Sequence, residues 1–156
     1  MKITDALYGE HGMFYPIFDY FESVMQSGPE LSDFKAMTSV LGKMVVTHAG
    51  IEEEILFPAL DKHLGEAGPL SVMRREHTEI DAYLDSALSA DTSEEAVGHV
   101  RNMIGLMREH FAKEERVLFV ITQKVLDEKE QEDIAEKWSE LRGVGVMGTD
   151  AHTCFG

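Results

Sequence analysis

Two ten-residue stretches of the chain repeat one pattern. The stretch from His48 to Phe57 and the stretch from His110 to Phe119 both read H-x-x-x-E-E-x-x-L-F. On a helix, residues four apart differ by about 40° around the axis and one turn along it. His48 therefore points with Glu52, and His110 with Glu114. A weaker pair repeats as well: Glu10-His11 and Glu76-His77. If each stretch lies on its own helix, four helices contribute one histidine each, and two of them add a carboxylate on the same face.

Imidazoles and carboxylates converging on one point suit iron, manganese or zinc. The commonest structural zinc sets need core thiolates, which this pattern lacks. Six donors (His11, His48, Glu52, His77, His110 and Glu114) exceed one tetrahedral ion. They fit two ions, with each carboxylate bridging and the histidines terminal. Glu53 and Glu115 rank second, because they sit about 140° around the axis from His48 and His110. His63 lies roughly 20 Å along the helix from His48 and His99 three turns from His110, so neither can share the site. His152 and Cys154 form an H-x-C pair in the terminal segment, where a lack of order is the simpler expectation.

The elements that must position these residues are legible from apolar spacing. Leu7, Phe14, Phe18, Phe21 and Met25 form one stripe, and Leu41, Met44, Val45, Ile55, Leu56 and Leu60 a second. Val72, Met73, Ile80, Leu84 and Leu88 form a third. Val97, Val100, Ile104, Met107, Phe111, Leu118, Ile121 and Val125 form a fourth. The three- and four-residue steps predict amphipathic helices, and no run alternates as a strand would. Gly28-Pro29 predicts the end of the first helix, with Ser32 or Asp33 capping the second. Pro69 is placed to open the third, and Asp91-Thr92-Ser93 to start the fourth. Asp127 is placed to cap a short fifth helix carrying Ile134, Trp138 and Leu141, ended by Gly143. Trp138 is expected to pack that helix on the bundle. Pro16 and Pro58 fall inside helical stretches and predict bends beside the candidate ligands. Short connections imply antiparallel neighbors. The fold class expected is all-α: an antiparallel up-down four-helix bundle with a short C-terminal fifth helix over 1–143, then an irregular tail over 144–156.

The chain has 156 residues, enough for one core, and a formal charge of −15. That charge disfavors nucleic acid and anionic membranes as partners, since both need basic surface. A single cysteine, Cys154, excludes an intrachain disulfide. The first residues lack the apolar run of a signal peptide and no stretch is long enough to span a bilayer, so a cytoplasmic location is expected.

The ordered set of His11, His48-x-x-x-Glu52 with Glu53, Leu56, Phe57 and Pro58 following, Arg75-Glu76-His77 and His110-x-x-x-Glu114 resembles the hemerythrin-like (HHE cation-binding) domain family, over about residues 5–125. The resemblance implies a non-heme di-iron center, bridged by the two carboxylates and by oxo or hydroxo. It also implies that the partner is a small oxidant or gas: oxygen, nitric oxide or peroxide. Family roles extend to iron sensing and to repair of iron–sulfur centers. An oxidase or peroxidase, or an iron-buffering protein, are alternatives that the motif leaves open, and a sensor would need a protein partner. Oxygen-carrying members usually have a second histidine four residues after the one on helix three. This chain has Asp81 there, either as a ligand or as a hydrogen-bonding group beside one. Tyr15, four residues after His11, reads as a core aromatic. The ferritin-like class is disfavored, because no glutamate precedes any of the four histidines by three residues.

Overall fold

A computed structural model describes residues 1–65 and 68–145. Seven α-helices run in the order α1 (Ile3–Gln26), α2 (Leu31–Ile51), α3 (Phe57–Leu64), α4 (Pro69–Ser89), α5 (Ser93–Lys113), α6 (Phe119–Val125) and α7 (Glu128–Arg142). Two π-helical turns join them without a break: π1 (Glu52–Leu56) between α2 and α3, and π2 (Glu114–Leu118) between α5 and α6. The chain thus makes four long rods, α1, α2–π1–α3, α4 and α5–π2–α6, with α7 packed outside. There is no strand among the described residues, and the architecture is the all-α helical bundle expected. His152, Cys154 and most of the expected tail lie outside the described residues.

Each rod buries most of the stripe read from its spacing. On α1, Leu7, Phe14, Phe18, Phe21 and Met25 are buried, and on α5 Val97, Val100, Ile104, Met107 and Phe111. The caps behave as their chemistry requires. The Thr92 hydroxyl accepts from the Glu95 amide, and the Asp127 carboxylate accepts from that of Glu130. Such caps contribute about 1 kcal/mol each. Gly143 ends α7 in the left-handed region, at φ 62°.

One local expectation is corrected. Ser32 and Asp33 do not cap α2, which starts at Leu31 after Glu30 with no side-chain cap. Gly28, at φ 67°, and Pro29 turn the chain back early, so both residues fall inside the first turn. Pro58 lies directly after π1, in the first turn of α3, inside a rod that continues without a break. Val120 holds the matching place after π2, so proline is not what makes the turn. Pro16 does lie within α1.

The apolar interior is divided in two. One cluster gathers Phe14, Phe18, Phe34, Leu41, Ile80, Val100, Ile104 and Phe111, and the other Ile3, Leu7, Leu56, Phe57, Leu60, Leu70, Leu118 and Phe119. In sequence, the histidines and buried glutamates fall at, or within a few residues of, the switch from one cluster to the other on every rod. A polar layer buried this deeply is costly unless its atoms are paired or bind a cation.

Candidate metal center

The four histidines named from sequence meet in that layer. His11, His48, His77 and His110 are all buried, as are Glu52 and Glu114, whose exposure is 0%. Their donor atoms form two groups: His11, His48, Glu52 and Glu114 in one, and Glu52, His77, His110 and Glu114 in the other. Within each group, one donor atom per residue lies within 4.8 Å of all the others. Both glutamates belong to both groups. Ligand bonds of about 2.0–2.2 Å place donors around one ion up to about 4 Å apart, so each group is spaced to close on a cation.

The orientation of each ring is fixed from behind. The Nδ1 atom of His48 meets Glu10 at 2.6 Å, that of His11 meets Glu115 at 2.9 Å, that of His77 meets Glu53 at 3.0 Å and that of His110 meets Glu76 at 3.0 Å. An imidazole that donates from Nδ1 to a carboxylate keeps the lone pair on Nε2, which here faces the center. Each outer carboxylate has its own support. The Tyr15 hydroxyl donates to Glu115 at 2.9 Å, and Arg74 to Glu53 at 3.3 Å. Lys113 donates to Glu76, and Trp138 and Arg142 donate to Glu10.

The wiring is twofold in pattern. Glu10 on α1 serves α2, and Glu76 on α4 serves α5. Glu53 on π1 serves α4, and Glu115 on π2 serves α1. The π turns carry this scheme. In each, a phenylalanine amide donates five residues back, from Phe57 to Glu52 and from Phe119 to Glu114. The wider turn starts at the buried glutamate and carries the next one sideways to a neighboring rod. Single π turns inside α-helices frequently mark functional sites.

The inner atoms lack ordinary partners. His11 Nε2, His48 Nε2 and both oxygens of Glu52 and of Glu114 are buried without a hydrogen bond among the described residues. Nε2–carboxylate approaches of 3.2 to 3.7 Å surround them, but without hydrogen-bond geometry. Buried polar atoms are almost always satisfied, so six orphans converging on one place are the signature of a cation site.

Electrostatics agree. Burial would lower the His110 pKa, but the contact with Glu114 and the charges of Glu114 and Glu52 push it up to about 9. His48 and His77 are likewise raised by their carboxylates against burial. Burial and the charge of Glu114 push Glu52 up, while His11 and His110 hold Glu114 down against its own burial. Glu10, despite burial, is drawn down to about 2 by His48, Arg142 and Trp138. This is the electrostatics of a pocket with strong affinity for positive charge.

The family model of the hemerythrin HHE cation binding domain matches residues 2–122. The chain belongs to this family. The match spans all four rods up to α6 and leaves α7 outside it. No curated protein and no solved structure matches the chain. As a hemerythrin-type domain with buried His/Glu groups, the protein is a metal-binding one.

Asp81 enters neither group of donors. It is solvent-exposed and sits one turn beyond His77 on α4. With His48, His77 and His110 it lines a cavity of about 10 Å³ walled by Val45, Ile80, Met107 and Phe111. His63 is exposed and His99 half-buried, and neither joins a donor group. Sequence reasoning left several supporting residues without a role. The Glu-His repeat was a visible signal for Glu10 and Glu76. Nothing local marked Arg74, Lys113 or Arg142, because each acts across helices far apart in sequence.

Proposed function

We propose that this domain binds two iron ions and reacts with, or senses, a small oxidant or gas. The observation that carries the reading is the pair of four-donor groups that share Glu52 and Glu114. Glu52 and Glu114 would contribute to both positions, while His11 and His48 would complete one and His77 and His110 the other. Mixed nitrogen and oxygen donors at a dinuclear spacing favor iron within this family, and bound iron would supply a one-electron redox change and an exchangeable coordination position.

The chain's own residues do the rest. Glu10, Glu53, Glu76 and Glu115 hold the four rings in one tautomer and raise their donor strength. Phe111 stacks on His11 at a centroid distance of 3.9 Å, and Phe57 on His77 at 5.7 Å. These faces exclude bulk water from the center. The cavity beside His48, His77 and His110 has about the volume that one water needs, which supports a small ligand over an organic substrate. Asp81 stands at its mouth, placed to hydrogen-bond a molecule entering there.

The test is a titration of the reduced, iron-loaded protein with oxygen, nitric oxide and peroxide in separate experiments, read by charge-transfer absorption. A response to at least one, at two irons per chain, is expected. No response to any of the three would leave the domain as an iron-binding protein without this chemistry.

A further inference from the structure

Glu10 is bonded through both of its oxygens, and its outer partners come from the helix outside the family match. Trp138 Nε1 donates to Oε1 at 2.6 Å and Arg142 Nε to the same oxygen at 2.7 Å. Arg142 Nη2 donates to Oε2 at 2.6 Å, the oxygen that also meets His48 Nδ1. A guanidinium gripping both oxygens fixes the carboxylate plane, and the indole closes the remaining direction. The Glu10 side chain cannot turn without losing four contacts, so the His48 ring cannot turn either.

The matching residue in the other half is held differently. Glu76 meets His110 and, on its outer side, only the Lys113 ammonium among the described residues, at the end of a flexible stem. One ammonium gives a point contact where a guanidinium gives a fork. The two metal positions, alike in their inner donors, therefore differ in how rigidly one ring of each is set. Helix α7 also touches α1 and π1, the elements that carry Glu10 and Glu52.

We propose that Trp138 and Arg142 are positioning residues: through Glu10 and His48 they set the affinity of the His11–His48 metal position, and α7 thereby makes the two positions inequivalent. This rests on the dinuclear reading above. Residues that orient a ligating histidine commonly change metal affinity ten- to a hundredfold when removed. A helix that only packed against the bundle would act on both positions alike.

Cobalt(II) alone is the probe, with its visible absorption followed during titration against a competing chelator. Arg142→Gln should weaken one of two positions about ten- to a hundredfold and leave the other within about twofold. Trp138→Phe, which keeps the ring, should give a smaller loss at the same position. Arg142→Lys should recover part of the loss. Adding Arg142→Gln to His48→Ala should cost nothing further, since both changes act on one path. Equal weakening at both positions, or unchanged affinities in Arg142→Gln and Trp138→Phe, would overturn the proposal. If the unmutated protein takes up only one cobalt, the dinuclear reading itself fails; two ions with insensitive variants would sink only the role of α7.

Discussion

The Nε2 atoms of His77 and His110 lie 3.0 Å apart, while the Nδ1 atom of each ring meets a carboxylate at 3.0 Å. If both rings donate from Nδ1, two lone pairs face each other across a contact that only a proton or a metal ion can make favorable. Glu52 and Glu114 stand beside them with the same requirement.

Metal content follows directly. Two ions per chain are expected after loading with iron, by elemental analysis. His48→Ala and His110→Ala should each lower that figure sharply, because each removes a donor from a different group. One ion per chain in the unmutated protein would refute the shared-carboxylate arrangement.

Loading should also raise stability. An ion present at a hundred times its dissociation constant adds about 2.7 kcal/mol to the folded state. For a domain of this size that corresponds to a rise in Tm of about 5–10 °C. Calorimetry of metal-free and loaded protein is the check, and superimposable transitions would speak against a buried site.

The metal-free protein should lose stability as pH rises from about 6.5 to 9. His110 has a folded pKa raised to about 9 against an ordinary value of 6.5. A group raised in the folded state contributes fully below its unfolded pKa, and that contribution fades as pH climbs through the folded one. His48 and His77 are shifted in the same direction. In the loaded protein the ion replaces these protons, so metal affinity should instead increase over this range. Urea midpoints from about pH 6 to 9.5 should fall in the metal-free protein, whereas with metal they should rise slightly to about pH 7 and then hold level. A flat metal-free curve would mean that the rings are neutral in that state.

Asp81 offers a test of how the center is tuned. Asp81 lines the cavity beside His77, and negative charge there would favor the ferric state of bound iron. Asp81→Asn should raise the reduction potential, and Asp81→His should slow the oxidation of the reduced protein by air. Redox titration and stopped-flow absorbance measure the two effects. An unchanged potential in Asp81→Asn would place its charge out of electrical reach of the ions.

Much of this site was legible in the sequence, for a physical reason. Histidine and glutamate four apart share a helix face under any packing, so the His48–Glu52 and His110–Glu114 pairs were set by backbone geometry alone. Convergence of the four rods followed from their apolar stripes. The π turns were not legible. The stretches after Glu52 and Glu114 read as ordinary α-helix, and the extra residue per turn is stabilized by contacts across the bundle. Helical spacing therefore ranks Glu53 and Glu115 only as weaker candidate ligands, whereas their carboxylates reach His77 and His11 on other rods. The link from Arg142 to Glu10 spans 132 positions, and no local pattern encodes it.

The division of donors between the two halves of the chain has a further consequence. The rods before the α3–α4 connection supply His11, His48 and Glu52 to one group, but that group is completed by Glu114 from after it. The other group has the reverse debt, three donors from the second half and Glu52 from the first. On the dinuclear reading, neither half could close a coordination sphere alone. A chain nicked in that connection would be two fragments that hold together better with ions than without, and reassembly of separately produced halves would be gated by metal. The center would then act as a clasp, and chelation as the means of opening it.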